Sequence, residues 1–272
     1  MRKRFQYHAD MTIRPLIALW AFFAALLLAP RAAFPIDDAP AAGHPVVLVT
    51  DQMKPFSYIE EGTARGFATD IVTEALDAAG IPHALEFLPW NRALERAQDE
   101  PGVFIFCLVR TPEREGRFAW VAPLVAAEAG LFRLRSRPDL AGVDCGNLAT
   151  YRVAAIRGYF TSEILRQWGV PESNVTLFTD LNKRTIIEHL ELGRSDFFLG
   201  DPLAFAFDLK AAGKEHELVL NGPALRVGDY YLAANPATDP ALLRRVGEAL
   251  RRLRESGRAK AILQEYSRRE RP

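Results

Sequence analysis

Apolar segments alternate with helical patterns over residues 46–107, and this alternation constrains the fold more than any other feature of the sequence. Residues 46–50, 84–88 and 103–107 are short apolar runs bounded by turn formers, a pattern typical of buried strands. Between them, residues 67–79 repeat apolar side chains at helical spacing, and a second helix is predicted to begin near Pro89. The order β-α-β-α-β predicts a parallel sheet with right-handed crossovers.

The same order returns after a polar, glycine-bearing stretch at 138–147. Further strands are predicted at 124–134, 152–156, 175–178, 196–199, 217–220 and 230–234, and further helices at 161–168, at 181–190, from Pro202, at 240–254 and at 258–266. Thr161 or Ser162 is placed to cap the helix at 161–168. The predicted fold class is therefore α/β with two lobes, each a small, mostly parallel sheet flanked by helices, joined by a hinge of two chain crossings. We expect residues 42–136 and 226–272 to form lobe one, and residues 137–225 to form lobe two.

The N-terminus has the pattern of an export signal. Residues 16–29 form an uninterrupted apolar run of 14 residues, which is short for a membrane span but suits a secretory signal peptide. Small residues at 39–41 fit a cleavage site, so residues 1–41 are predicted to be a signal peptide and processing region. An uncleaved anchor is the alternative, and both Met1 and Met11 remain possible starts. The mature protein is expected in the periplasm.

Composition excludes several classes of function. The formal net charge is zero, which argues against a nucleic-acid partner. The histidines and two cysteines have no metal-ligand spacing, so no metal and no cofactor are predicted. An oxidising compartment permits a disulfide between Cys107 and Cys145, and the sequence leaves open whether it forms.

Arg114 is the first candidate for ligand binding. It follows the predicted strand at 103–107 and the turn signal Thr111-Pro112. The carboxyl end of a strand is where ligands bind in open α/β sheets, and a guanidinium can hold a carboxylate through two parallel hydrogen bonds. A solvated helix face is the alternative. Phe56 and Tyr58 follow the first strand and are placed to stack on a ligand, although Phe56 suits the core equally well.

Six motifs carry a family resemblance. They are VVLVTD-x-x-x-PF from residue 46, RGF-x-x-DI at 65–71, RTPERE-x-RF at 110–118, RVAAIRG from residue 152, GRSDFFLGDP at 193–202, and L-x-x-SG-x-x-x-x-IL-x-x-Y at 253–266. In these the chain resembles the bacterial extracellular solute-binding proteins of family 3, the periplasmic amino-acid-binding subunits of ABC importers. The segment PWNRAL at 89–94 resembles a divergent branch.

The resemblance implies roles for individual residues. Arg114 matches the arginine that clamps the α-carboxylate of the ligand, and Asp201 matches the acid that receives the α-ammonium from the other lobe. Asp201 also suits a helix N-cap before Pro202, and both roles can hold at once. The further predicted contact residues are Phe56, Tyr58, Trp90, Tyr159 and Thr161.

The sequence also departs from the family pattern. Cys107 and Val109 replace small hydroxyl residues before the arginine, Ala68 replaces an acid, and the turn after Gly158 carries two inserted aromatics. These changes remove polar donors from the expected carboxylate site. They imply a ligand that is larger or less polar than a simple amino acid, or one that is not an amino acid. Arg157 is placed to supply a compensating charge, with a solvated position as the alternative.

The expected function is capture of a small polar solute, an amino acid or a related carboxylate or amine, by closure of the lobes. A monomer would deliver this solute to the permease of a membrane transporter. A sensory binding module for a receptor partner is one alternative. An enzyme on the same scaffold, a dehydratase or glycan-cleaving enzyme, is another. The sequence has no paired carboxylates and no nucleophile–base motif, so no catalytic residue and no enzymatic activity are predicted.

Overall fold

Strands and helices alternate through the computed structural model, which describes residues 45–179, 182–211, 213–214 and 216–269. All of these residues lie in one compact unit, residues 44–272. The strands of the described part are β1 (Val46–Thr50), β2 (Tyr58–Glu60), β3 (Thr63–Arg65), β4 (His83–Phe87), β5 (Val103–Val109), β6 (Ala119–Leu134), β7 (Val153–Ile156), β8 (Val175–Phe178), β9 (Phe197–Gly200), β10 (Leu218–Leu220) and β11 (Leu225–Ala234).

Seven α-helices flank these strands over the same residues. They are α1 (Phe67–Ala78), α2 (Trp90–Asp99), α3 (Phe160–Gln167), α4 (Lys183–Glu191), α5 (Pro202–Ala211), α6 (Pro240–Glu255) and α7 (Arg258–Arg269). Short 3-10 helices occupy Pro138–Leu140, Cys145–Thr150 and Glu172–Asn174. None of the helices described is long and apolar enough to cross a bilayer. The predicted signal peptide, its cleavage site and the two possible start residues lie outside the described residues.

Two groups of three parallel strands form the ends of the main sheet. Its strand order is β4-β1-β5-β11-β6-β9-β7-β8, and β10 pairs with β6 beside this path. β1 runs parallel to β4 and β5, and β7 runs parallel to β8 and β9. These two groups correspond to the two α/β units predicted from the sequence. The antiparallel strands β11 and β6 lie between them.

β6 connects the two groups directly. This strand has 16 residues, and residues 119–129 pair with β11 while residues 130–134 pair with β9 and β10. The sequence predicted only 124–134 for this strand and only 230–234 for β11. Both strands begin five residues earlier, because they pair with each other along that extra length and the backbone hydrogen bonds do not depend on the apolar pattern.

Local sequence signals failed at two further places. The sequence analysis predicted no strand between residues 51 and 66, but β2 and β3 form a short antiparallel hairpin there. Three-residue strands with exposed side chains leave no apolar alternation in the sequence. The predicted cap of α3 was also wrong, because this helix begins at Phe160 and Tyr159 is its N-cap. Ser162 instead donates a hydrogen bond to the Tyr159 carbonyl, at 2.7 Å.

β5 is the centre of the core, since all seven of its residues are buried. Close backbone packing also fixes the start of α1 at Gly66, which has φ +119°. A Cβ atom at Gly66 would lie 2.3 Å from the carbonyl oxygen of Phe56. That carbonyl accepts hydrogen bonds from the N–H groups of Ala68 and Thr69, so it is held against the helix start.

Candidate functional site

Two small cavities adjoin at the carboxyl ends of the parallel strands, where an α/β sheet binds ligands. Each has a volume of about 10 Å³, room for about one water molecule. Cavity one is lined by Asp51, Met53, Trp90, Cys107, Val109, Arg114, Tyr159, Phe160 and Tyr230. Cavity two is lined by Met53, Ile156, Tyr159, Thr161, Phe198, Leu199, Gly200, Asp201, Ala204 and Phe205. Met53 and Tyr159 line both cavities, and we call the combined space the cleft.

Arg114 lies in a turn after β5 and is only 2 % exposed. Its guanidinium meets the Glu163 carboxylate at the start of α3, with Nε and Nη2 at 2.8 and 2.6 Å from Oε1. Nη1 donates to the Val109 carbonyl at 3.3 Å, and Nη2 also donates to the Gly158 carbonyl at 2.8 Å. Most of the donors that the sequence assigned to a ligand carboxylate are therefore engaged within the protein.

Glu163 is equally enclosed, at 8 % exposed. Its second oxygen, Oε2, accepts a hydrogen bond from the Thr111 hydroxyl at 2.6 Å. Burial lowers the pKa of Arg114 below its ordinary value, and the negative charge of Glu163 opposes that shift. The two charges thus compensate each other in a nearly dry environment.

A ligand carboxylate would have to displace Glu163 to reach Arg114. Removing one partner from a buried ion pair costs about 3–5 kcal/mol, because the other charge stays buried and uncompensated. A new hydrogen bond to a charged group returns about 1.5–3 kcal/mol. The exchange is therefore unfavourable unless Glu163 moves to solvent, and the pair favours its own internal partner.

The Gly158 carbonyl accepts a second hydrogen bond, from the indole N–H of Trp90 at 2.7 Å. Gly158 has φ +78°, a left-handed conformation that glycine adopts without strain. This turn presents one carbonyl oxygen to donors from both Trp90 and Arg114. These two hydrogen bonds connect the turn before α3 to Trp90 and Arg114 of the first α/β unit.

Asp201 follows β9 and is 9 % exposed. Its Oδ1 accepts from the N–H of Ala204 at 3.0 Å, which is the N-cap geometry predicted for the start of α5. Its Oδ2 accepts from the hydroxyl of Tyr230 at 3.1 Å. Burial raises the pKa of Asp201 to about 6, and these hydrogen bonds limit the rise. The carboxyl is therefore mostly ionised at neutral pH.

Asp51 is the second carboxylate of the cleft and lies directly after β1. It accepts a hydrogen bond from the hydroxyl of Tyr159, which stands at the turn before α3. Cys107 lies nearby, and burial together with the negative charges of Asp51 and Asp201 raises the pKa of its thiol. Both carboxylates therefore act on one sulfur atom. Cys107 and Cys145 are free thiols, which answers the open question of a disulfide.

The other predicted contact residues fall in different places. Trp90 and Tyr159 line the cleft, with their rings edge to face at 5.6 Å. Thr161 lines cavity two and is 1 % exposed, and its hydroxyl has no hydrogen-bond partner among the described residues. Phe56 and Tyr58 line neither cavity.

Phe56 is in the core, as the alternative interpretation of the sequence held. Its ring packs 4.6 Å from that of Phe67 and 4.9 Å from that of Tyr230. Tyr58 is buried in the β2–β3 hairpin, where Lys54 Nζ lies 4.7 Å from its ring centre. Arg157 is exposed and lines neither cavity, so it supplies no charge to the cleft.

Sequence reasoning missed three groups of the cleft. Asp51 could have been found, because it directly follows a predicted strand. Tyr230 lies at the start of a predicted strand, but it belongs to none of the motifs that indicated ligand binding. Glu163 gave no usable signal, since an acid in the first turn of a helix is commonly solvated and favoured there by the helix dipole. Within the described residues, no group of His, Cys, Asp and Glu side chains is placed to hold a metal ion.

Comparison with known sequences identifies one family. Residues 46–269 match the sequence profile of the bacterial extracellular solute-binding proteins, family 3. A search of curated proteins gave no match.

Comparison with solved structures supports the same fold. A histidine kinase sensor domain with similarity to periplasmic binding proteins is 18 % identical, with a TM-score of 0.71 over 82 % of this chain and 95 % of that one. The arginine-, lysine-, histidine-binding protein ArtJ from the thermophilic bacterium Geobacillus stearothermophilus is 19 % identical, with a TM-score of 0.70 over 82 % and 94 %. An ancestral amino acid-binding protein, a precursor of cyclohexadienyl dehydratase, is 19 % identical, with a TM-score of 0.65 over 80 % and 92 %. The two-lobed α/β architecture predicted from the sequence is confirmed.

Proposed function

Because the chain belongs to the bacterial extracellular solute-binding proteins of family 3, we propose that it captures a small polar solute in the cleft and delivers it to a membrane transporter. One observation carries the proposal. Ionisable groups from both α/β units, Asp51 and Asp201, meet at a shared cleft on the carboxyl side of the strands. Aromatic side chains enclose these groups, as is usual for small-molecule sites.

The contacts across the cleft support capture by lobe closure. Tyr159 donates to Asp51, Trp90 donates to Gly158, and Arg114 pairs with Glu163. Each contact joins residues of the first unit to the turn or helix start of the second. We propose that residues 42–136 with 226–272 form one lobe and residues 137–225 the other. Opening of the hinge would then break these contacts and admit the solute.

The proposed ligand contacts are four cleft-lining members of the predicted set, namely Asp201, Trp90, Tyr159 and Thr161. Arg114 also lines the cleft, but it is paired with Glu163. Phe56 and Tyr58 would act indirectly, by supporting the loop after β1. The protein is proposed to work as a periplasmic monomer.

A sensory role is the second candidate. The supporting observation is the fold similarity to the histidine kinase sensor domain, with a TM-score of 0.71 over 95 % of that chain. In that role the closed form would be recognised by a receptor instead of a permease. The two roles share the cleft and differ only in the partner.

Ligand binding is tested first with the mature chain, residues 42–272. Thermal shift against amino acids, amines, organic acids and sugars should yield a stabilising compound. A ligand at about 100 times its Kd adds about 2.7 kcal/mol, which for this size is a rise of roughly 5–10 °C. Trp90 fluorescence should change with the same midpoint, and Trp90→Phe should remove that signal. A stabilising compound whose effect survives Tyr159→Ala and Thr161→Val unchanged would bind outside the cleft and contradict the proposal.

The partner is tested in cells. Deletion of the gene should abolish uptake of the identified ligand, and uptake should return with the wild-type gene. Uptake that persists while a transcriptional response to the ligand is lost would favour the sensory role.

A further inference from the structure

We propose that the cleft selects an organic ammonium ion, an amine without a carboxylate, in preference to the matching amino acid. This inference rests on the function proposed above and specifies the ligand class of the same cleft. It follows from the charge that each lining group presents, from the hydrogen-bonding state of the hydroxyls, and from the aromatic walls.

The positive charge of the cleft is already compensated. Arg114 is held by Glu163 from the start of α3, and both carboxylate oxygens of Glu163 have partners. An internal carboxylate thus stands where an incoming α-carboxylate would bind. Because Glu163 is the counter-ion of Arg114, a ligand carboxylate finds no unpaired cation among the described residues that line the cleft.

The remaining charges are negative. Asp51 lines cavity one and Asp201 lines cavity two, and both act on the thiol of Cys107 between them. Arg114 and Glu163 compensate each other, whereas Asp201 forms no ion pair with a Lys or Arg among the described residues and keeps its negative charge. A cation is the ligand that complements this field.

The hydroxyl groups of the cleft support the same ligand class. Tyr159 donates its proton to Asp51, and Tyr230 donates its proton to Asp201. The Tyr230 oxygen can therefore only accept from a ligand, and an ammonium group is a pure donor. The Thr161 hydroxyl lines the same cavity as Asp201, is buried and has no partner in the described part of the chain. Because a buried hydroxyl normally has a hydrogen-bond partner, we expect this group to bond with the ligand.

The walls of cavity one are aromatic. Trp90, Tyr159, Phe160 and Tyr230 all line it, and the rings of Trp90 and Tyr159 meet edge to face. Aromatic faces attract cations through the ring quadrupole, most strongly where water is excluded. Carboxylates and aromatic rings line the cleft together, and the guanidinium of Arg114 is neutralised by Glu163. This combination suits an organic cation.

Tyr159 also explains how a molecule larger than water fits. Tyr159 and Met53 line both cavities, each about 10 Å³. A ligand that displaced the Tyr159 ring during opening would join them into one space and would reach both Asp51 and Asp201.

Matched pairs of compounds test the inference. In two pairs, agmatine and arginine, and cadaverine and lysine, the amine is the amino acid without its carboxylate. In the third pair, choline carries an alcohol where glycine betaine carries a carboxylate. Isothermal titration at pH 7.5 on residues 42–272 should show, in at least one pair, that the compound without the carboxylate binds at least 10-fold more tightly. Equal or reversed order in every pair that binds would overturn the inference and leave the proposed function intact.

The remaining outcomes are equally decisive. If no compound of these pairs binds but a neutral or anionic compound of the wider panel does, the cleft binds solutes and the ligand class is wrong. If nothing in the wider panel binds, the proposed function fails, and the inference fails with it.

Two variants assign the effect to the cleft. Glu163→Gln frees the guanidinium of Arg114 and should raise the affinity for the carboxylate member of a pair at least 10-fold. Asp201→Asn keeps the helix cap and should weaken binding of the ammonium member at least 10-fold, so it serves if Glu163→Gln does not fold. Asp239→Asn alters an exposed cap of α6 and should leave both affinities unchanged. Loss of amine binding in Asp239→Asn, or none in Asp201→Asn, would contradict the assignment.

Discussion

Replacing Asp201 by asparagine should stabilise the protein at neutral pH. The carboxyl has a pKa of about 6 in the fold against 3.8 for the ordinary side chain, chiefly because it is buried. Asparagine can still accept from the Ala204 N–H, and its amide can donate to the Tyr230 oxygen. The contact with Ala204 is therefore kept, and the contact with Tyr230 is kept with its direction reversed, while the charge is lost.

The size and sign of this stabilisation follow from the difference in the pKa of Asp201 between the folded and the unfolded protein. The folded protein holds the proton of Asp201 more tightly than the unfolded chain, so the wild type has its full stability from this group below pH 3.8. It loses that stability as the pH rises through about 6. A difference of 6 − 3.8, about 2 units at 1.36 kcal/mol each, gives about 3 kcal/mol. The variant carries no such loss, so its advantage should grow from near zero at pH 4 to about 3 kcal/mol at pH 8.

Urea denaturation of wild type and Asp201→Asn at pH 4, 5, 6, 7 and 8 measures this difference, because the titrations common to both proteins cancel. In thermal denaturation at pH 8, the melting temperature of the variant should be roughly 6–12 °C higher than that of the wild type. Asp239→Asn is the matched control, since it also caps a helix but lies exposed, where burial does not act on its carboxyl. An Asp201→Asn advantage that is constant with pH, or that shrinks towards pH 8, would refute the burial argument.

Two further predictions concern packing and charge. Arg114→Met should cost about 3–5 kcal/mol in urea denaturation, because Glu163 stays buried and unpaired, whereas adding Glu163→Leu should recover much of that loss. Losses that simply add in the double variant would show that the two side chains are not coupled. Gly66→Ala should cost about 3 kcal/mol or more, since its Cβ would collide with a backbone carbonyl at an unfavourable φ. Gly62→Ala has a similar positive φ but open space around it, so it should cost only about 1 kcal/mol, and equal costs would argue against the collision.

The sequence predicted the parallel strand groups because their signals are local. β5 is a run of seven apolar residues, and it is buried on both faces as such a run requires. The early parts of β6 and β11 could not be predicted in this way. They are defined by pairing with each other across about 100 residues of chain, and Pro123 and Gly228 interrupt their patterns.

The site was predictable only one residue at a time. Arg114 and Asp201 each stand after a strand, and both do line the cleft, although their roles towards a ligand stay predictions. The partner of Arg114 could not be predicted, because Glu163 lies 49 residues away and has the sequence context of a solvated helix start. In the site proposed above, this single pairing changes the favoured ligand group from a carboxylate to an ammonium.

The position of β11 has a consequence for the order in which the molecule can be completed. β11 pairs on one side with β5 and on the other with β6, so both of those strands wait for residues 225–234. Until that segment has been synthesised, β5 and β6 each expose an unpaired row of backbone donors and acceptors, which is a template for pairing with other chains. Pairing at such long separation in sequence is also slow. A ribosome-bound or truncated chain that ends before residue 225 is thus expected to be aggregation-prone. Of the 272 residues, 224 precede the segment that closes the central sheet.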